Sequence, residues 1–375
     1  MRILAASPYY EPEGGGLERY EHEILKRLAA RGHDVHAVAF TRRSLPDRLR
    51  DGVAVQRMAP AFTVGNTPIH PRLASHLTRM VRRIEPDVIV GHTPVPYTAE
   101  RASRVAQRMG RPFVATYHAG RLHGSSRTLE ALAALDRATA ERRMLGTSAG
   151  LIAVSPFVRD HALARHRDRV TVVRPGVDTN RFCPNGLRVT HDILFVGPLS
   201  SRYRWKGVDV LWRAFQLVRT RMPEAGLVLV GRGDRLAEFR RRAAHDGDRI
   251  RLPGHVTEND LVEEYRRAAM LVLPSTTDAE AFGLVLAEAN ACGRPVIGSR
   301  VGGIPDFVRH GDNGLLCDIG DPSDLADRIV EVLADPQRAT AMGANGRARV
   351  VAEHDWDKAA DATETVLERA RSSPG

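Results

Sequence analysis

Cysteine is scarce in these 375 residues. Cys183, Cys292 and Cys317 stand far apart without any C-x-x-C spacing, so neither a zinc site nor a disulfide framework is expected, and each reads as a small buried residue. No apolar run reaches the roughly 18 to 20 residues that a membrane span needs, and "MRILAASPYY" is too short and broken for a secretion signal. The expectation is a cytoplasmic protein. The usual phosphate fingerprints are missing as well. No Walker loop occurs, and "VGRGDRL" at 230–236 follows a strand pattern but lacks the third glycine of a dinucleotide site, which argues against an oxidoreductase. Lysine is rarer still, with only Lys26, Lys206 and Lys358 among 55 basic residues, so each lysine is informative where an arginine is not.

What is present describes a folded body of about two domains, 43% hydrophobic and 27% charged. The charge is unevenly divided. Residues 1–185 hold 29 basic against 17 acidic side chains, and residues 186–375 hold 26 against 28, giving +12 and −2. A basic half attracts an anionic partner, such as a phosphorylated acceptor, an acidic membrane surface or a nucleic acid; a solvated arginine-rich surface is the plain alternative. That half carries no aromatic-and-basic strand pattern and no recognition-helix motif, so no nucleic acid is expected.

Short strands apolar on both faces alternate with helical stretches. "MRILAAS", "DVHAVAF", "PDVIVGH", "RPFVATYH" and "AGLIAVS" form a first set, and a Pro/Gly/Asn-rich linker falls near 178–191. "DILFVGPL", "AGLVLVGRG", "IRLPGHV", "MLVLPST" and "RPVIGSR" form a second, and the chain is helical from Pro322 onward. The fold class is α/β, with two Rossmann-like, doubly wound parallel-sheet domains facing a central cleft. The expected domains are 1–180, 181–350 and a terminal helix at 351–375. Ligands of such sheets bind beyond the carboxyl ends of the strands.

Three loops there have the chemistry for a phosphorylated ligand. In "PYYEPEGGGLERYEHE", Gly14, Gly15 and Gly16 lead straight into a helix, where unpaired N–H groups and the dipole suit an anion; an ordinary flexible turn is the alternative. In "DAEAFGLVLAEANACG", residues 278–293, a helix begins near Phe282 or Gly283 and stops at Gly293. It is apolar almost all round and therefore buried. A carboxylate inside it, Glu288, needs a structural partner or a ligand. Glu288 lies roughly 8 Å along from the helix start, with Glu280 just outside that start. Phosphates at the start would put a sugar and a ribose each within reach of one acid, the layout of a nucleotide-sugar. In "FVGPLSSRYRWKGVDVL", Arg202, Arg204 and above all Lys206 offer the cations that a departing diphosphate requires.

Taken in order, "GGGLE", "TYH", "VVRPGVDTNRF", "FVG…KG" and the E-x7-E stretch "EAFGLVLAE" resemble the retaining GT-B glycosyltransferases of family 4, among them the phosphatidylinositol mannosyltransferases, over nearly the whole chain. The resemblance implies an acceptor bound mainly by the first domain, a nucleotide-sugar bound mainly by the second, and C-terminal helices that cross back onto the first. It implies that Glu280 binds donor-sugar hydroxyls and that Phe282, Gly283 and Leu284 offer backbone N–H groups to the phosphates. It likewise puts Glu288 on the ribose, Lys206 on the leaving diphosphate and Gly15 and Gly16 near the phosphates or acceptor. His118 would lie near the reacting carbon, and the backbone at His255 and Val256 would read the base. Two positions depart from the pattern. Pro198 stands where the family usually has an arginine, a role that Arg202 or Arg204 would have to fill, and Asp306 stands where glutamate is commoner.

The activity so implied is transfer of a hexose from a UDP- or GDP-sugar to a hydroxyl acceptor, anionic or lipid-linked, in glycolipid, polysaccharide or natural-product synthesis. No cofactor or metal is called for; the strings "DGD" at 246–248 and "DWD" at 355–357 fall away from the motifs. No clear carboxylate nucleophile is nominated, and the resemblance implies front-face attack in place of a covalent intermediate, with Lys206, the helix start and domain closure expected to supply the rate. Arg72, Arg79, Arg82 and Arg83 are the candidate membrane-facing arginines. A nonhydrolysing sugar-nucleotide epimerase would share the fold and donor site, and a basic nucleic-acid-binding protein is the rival of another class.

Overall fold

The computed structural model describes residues 1–42, 47–120, 134, 137–186 and 189–372. Two positions of the linker expected at 178–191, and the last three of 351–375, lie outside them. The chain divides into two compact units, Met1–Pro175 with Trp356–Gly375, and Gly176–Asp355. The first unit thus includes the last helix, Trp356–Ser372.

The sheet of the first unit runs Val170–Val172, Gly150–Ala153, Phe113–Tyr117, Val88–Thr93, Arg2–Ser7, Asp34–Phe40 and Val53–Met58, all parallel, and ends on the short antiparallel strand Arg48–Arg50. Arg2–Ser7 comes first in the chain yet lies inside the sheet, with its neighbours running off in opposite directions. The helices that cover the sheet are amphipathic: Leu73–Ile84 buries Leu73, Leu77, Met80, Val81 and Ile84, one stripe at helical spacing, and leaves Arg79, Arg82 and Arg83 exposed, with Arg72 exposed at its cap.

The second sheet has six parallel strands in the order Ile250–Gly254, Gly226–Val230, Asp192–Val196, Met270–Leu273, Val296–Ser299, Gly314–Cys317. Counted along the chain this is third, second, first, fourth, fifth, sixth, the doubly wound order of a dinucleotide-type fold. Four of these strands are buried at every position, as their unbroken apolar runs require. The edge strand alone alternates, and it alone contains a proline, Pro253, which an edge tolerates because no ladder bond is lost. Helices Pro322–Ala334 and Pro336–Glu353 follow, each with proline in its first turn and an aspartate cap, Asp321 and Asp335. Among the described residues no helix is long and apolar enough to cross a membrane.

Two expectations are corrected here. Cys292 and Cys317 are buried, but Cys183 is only half-buried, its thiol bonded to the Asn180 carbonyl and approached by Arg266. Val53–Met58, Val170–Val172 and Arg48–Arg50 extend the first sheet beyond the five strands that the sequence indicates, and Gly314–Cys317 adds a sixth to the five of the second.

Candidate functional site

In each sheet the strand order reverses at one place. In the second unit it lies between Asp192–Val196 and Met270–Leu273, so their carboxyl-end loops, 197–207 and 274–283, rise side by side where a doubly wound sheet binds its ligand. Lys206 and Glu280 sit on these two loops. The Lys206 ammonium donates to Glu280 Oε2 at 2.6 Å, and Ser275 Oγ donates to the same oxygen at 3.1 Å. The carboxylate is buried and Lys206 largely so, with its Nζ 4.6 Å from the centre of the Trp205 ring.

Backbone contacts hold this pair in place. The 3₁₀ turn Ser201–Lys206 ends at Gly207 in the left-handed region (φ +77°), and a Cβ there would lie 1.8 Å from the Pro274 carbonyl oxygen. Only glycine lets the two loops approach so closely. The Trp205 carbonyl then accepts from both Thr276 N (2.7 Å) and Thr276 Oγ1 (3.2 Å). From the other side, Gly303 N–H donates to the Glu280 carbonyl at 2.7 Å. The loop 231–235 steadies the first from outside: Leu199 N–H donates to the Arg232 carbonyl, and Ser201 N–H and Oγ donate to the Asp234 carboxylate.

The helix expected near Phe282 spans Leu284–Ala291, capped by left-handed Gly283. It has no side-chain cap and no acid in its first turn, so its leading N–H groups are not committed to a side chain. The Phe282 ring is buried against Phe307 and His354, so only its backbone can serve a ligand. Glu288 is buried within the helix and has the structural partner that burial demands: Tyr265 Oη donates to its Oε2 at 2.6 Å. Tyr265→Phe is expected to lower the stability of this unit by about 1–3 kcal/mol, since it strips a donor from a buried carboxylate. Urea unfolding of the variant measures it, and an unchanged midpoint would show that the bond contributes nothing.

Arg202 and Arg204 are on the same 3₁₀ turn as Lys206 but are exposed, and among the described residues neither makes an ion pair. Val256 is half-buried against the core and His255 is exposed in the loop after Ile250–Gly254. Asp246 of the "DGD" string accepts from Trp212 Nε1 and Gln216, and Asp357 of "DWD" pairs with Arg27.

In the first unit the reversal lies between Arg2–Ser7 and Val88–Thr93, and the glycine loop follows the first of these strands. Gly15 and Gly16 are exposed, with open space where a side chain would project. The Gly15 amide is already engaged: Glu18 folds back and accepts from it at 2.6 Å, so an anion would have to displace this carboxylate. His118 follows Phe113–Tyr117 and donates its backbone N–H to Thr93 O at 2.9 Å. Its ring stacks on His92, with Nε2 2.8 Å from His92 Nδ1, and meets the edge of Tyr20. Burial, with His92 beside it, holds the His118 pKa well below the ordinary histidine value, and burial pushes His92 down to about 3. Both rings are neutral hydrogen-bonding groups.

The structure therefore joins Lys206 to Glu280 beside the start of the helix that carries Glu288, and gives Arg202 and Arg204 no ion pair among the described residues. Ser275, Trp205, Tyr265, Gly303 and His92 support these groups and were not singled out from the sequence. Only the "VGG" pair gave a signal, as glycines placed just before a helix.

Residues 14–181 match the model of a family described as Glycosyltransferase Family 4, and residues 190–335 match one described as Glycosyl transferases group 1. Over 398 residues the chain is 31% identical to the D-inositol 3-phosphate glycosyltransferase 1 of Catenulispora acidiphila, across 96% of this chain and 92% of that protein. It is 30% identical over 404 residues to a glycogen synthase of Mycobacterium tuberculosis, across 99% and 95%. Among solved structures, that of Anabaena Alr3699/HepE in complex with UDP and glucose shares the fold, with a TM-score of 0.76 over 98% of this chain and 99% of that one at 22% identity. With family models matched in both units and full-length relatives at this identity, the chain belongs to the family 4, group 1 glycosyltransferases, which have the GT-B architecture.

Proposed function

We propose that the protein transfers a hexose from a UDP- or GDP-sugar to a hydroxyl acceptor with retention of configuration and without a metal. The observation that carries this reading is the Lys206–Glu280 pair beside a helix start without a side-chain cap, at the strand-order reversal of the second unit. The N–H groups of Phe282, Gly283 and Leu284 bind the diphosphate, Glu280 binds sugar hydroxyls and Glu288 the ribose. Val256 and its neighbour present backbone to the base. When donor binds, Lys206 turns from Glu280 to the diphosphate, where charge develops as the bond breaks. Arg202 or Arg204 comes in from the surface to supply the second cation that Pro198 cannot.

The acceptor belongs to the first unit, near Gly15, Gly16 and His118. It attacks the anomeric carbon on the face that the phosphate leaves; the new C–O bond forms as the old one breaks, and the acceptor proton passes to the departing phosphate oxygen. No enzyme carboxylate is needed as nucleophile, and the cation at the leaving group is an ammonium. An anionic acceptor, free or lipid-linked, fits the +12 charge of residues 1–185, and the name of the Catenulispora relative includes an inositol phosphate. A lipid-linked acceptor on an acidic membrane at the cytoplasmic side fits the exposed Arg72, Arg79, Arg82 and Arg83 and the exposed apolar Phe62 and Val64.

A panel of UDP- and GDP-sugars, scored by thermal shift and then by nucleotide release with EDTA present, tests the proposal. One donor is expected to raise the melting temperature, and nucleotide to appear only when inositol phosphate or phosphoinositide vesicles are added. Release at the same rate without any acceptor would sink the transferase reading, and conversion of the donor to an epimeric sugar-nucleotide with no nucleotide released would favour the epimerase.

A further inference from the structure

A chain of three titratable side chains runs beneath the strand ends of the first unit. His92 and His118 lie on adjacent parallel strands. His92 is in register with Thr116, so His118, two residues beyond Thr116, falls on the same face of the sheet and the rings meet. Behind His92 is Glu21, on the helix Gly16–Ala30, only 1% exposed, with Oε1 3.7 Å from His92 Nε2. A cavity of about 10 Å³ opens at this contact, lined by Tyr20, Glu21, His92, Thr116 and Thr363 among apolar side chains. It has room for one bridging water.

A buried carboxylate with no cation beside it loses its charge. Among the described residues Glu21 has no cationic partner; burial, with Glu18 of its own sign, pushes its carboxyl well above the ordinary range, and the opposing pull of the Ser7 hydroxyl does not cancel that rise. His92, the titratable group it faces, is neutral for the same reason. A neutral carboxyl donates. With that proton toward His92 the bonds run one way: Glu21 O–H through a water in the cavity to His92 Nε2, the 3.7 Å gap being too long for a direct bond, and His92 Nδ1–H to His118 Nε2. The proton of the His118 ring is left on Nδ1.

We infer that Glu21 is a positioning residue that acts through His92 to hold His118 as the Nδ1–H tautomer. This rests on the placement of His118 near the reacting carbon and deepens it. His118 then offers a sugar or acceptor oxygen a hydrogen bond and takes no proton, which agrees with the acceptor proton leaving on the phosphate. The sequence pattern could not reveal this, because Glu21 sits in "LERYEHEIL", where the charged residues read as the polar face of a helix although Glu21 and His22 are buried.

Long-range ¹⁵N NMR of the full chain labelled at histidine reads the tautomer without any substrate. His118 is expected to show a protonated Nδ1 and an unprotonated Nε2. Glu21→Gln keeps a donor toward His92 and is expected to keep both the tautomer and turnover. Glu21→Met removes the donor and is expected to give mixed tautomers and kcat lower by about 10²-fold, the usual scale for a lost aligned donor. A protonated Nε2 in the wild type overturns the inference, as does a Glu21→Met protein with an unchanged tautomer. Should Glu21→Met not fold, the wild type and Glu21→Gln still decide. Wild-type turnover by His118→Ala would instead remove the catalytic placement of His118 and leave the tautomer result standing.

Discussion

Lys206→Ala is expected to reduce turnover by about 10²–10³-fold and, separately, to destabilise the second unit by about 3–5 kcal/mol. The first effect follows from removing the cation proposed to meet the leaving diphosphate. The second follows from what remains: Glu280 is 6% exposed, and without the ammonium at 2.6 Å only Ser275 Oγ holds its Oε2. A buried charge that loses its partner costs more than the pair contributed. The two effects separate in the double variant Lys206→Ala/Glu280→Ala, in which both charges are gone. Its urea midpoint should recover most of the single-variant loss while turnover stays low. Lys206→Arg should not restore turnover, because a longer planar fork cannot deliver a compact point charge where the Lys206 ammonium stands, 2.6 Å from Glu280 Oε2. Near-wild-type turnover in Lys206→Ala would discard the proposed role; recovery of turnover in the double variant would show that the pair matters only for folding.

The fold class was legible because parallel strands buried on both faces must be apolar throughout, and "GLVLV" and "MLVL" are. Val53–Met58 was missed because it is only half-buried and "VAVQRM" mixes faces, and Arg48–Arg50 is too short to carry any period. Strand order has no local signature at all, since it is set by which crossover goes which way. Glu288 was legible as a special position for a related reason: an acid within an apolar helix is costly, so it needs a structural partner or a ligand. Its partner was not, because Tyr265 in "VEEYRR" reads as an ordinary buried face of an amphipathic helix, which it also is. The link between His92 and His118 becomes visible only after the register Thr93 to Tyr117 is known.

Gly303→Ala is expected to lower turnover by about 10²-fold in a protein that still folds. Gly303 has an ordinary φ of −84°, so the argument is one of space, not of backbone strain. A Cβ on it would stand 1.8 Å from the Ala281 carbonyl oxygen and 3.1 Å from Phe282 N, and its own N–H holds the Glu280 carbonyl at 2.7 Å. None of these neighbours is the end of a flexible side chain. The stretch 280–282 must therefore move as a piece, taking with it the Glu280 carboxylate and the first amides of the helix Leu284–Ala291. Displacement by about 1 Å is enough to spoil an aligned site at the 10²-fold level, and overpacking of this kind costs about 1–3 kcal/mol. Gly146→Ala is the control: it lies in the helix Arg142–Thr147 of the other unit with open space around it, and alanine there should be neutral or stabilising by up to about 1 kcal/mol. If Gly303→Ala keeps full turnover while its urea midpoint falls, the contact supports the core and not the geometry of Glu280. If both hold at wild-type values, the 280–282 backbone has slack, and the placement of the amides proposed to face the phosphates does not depend on Gly303.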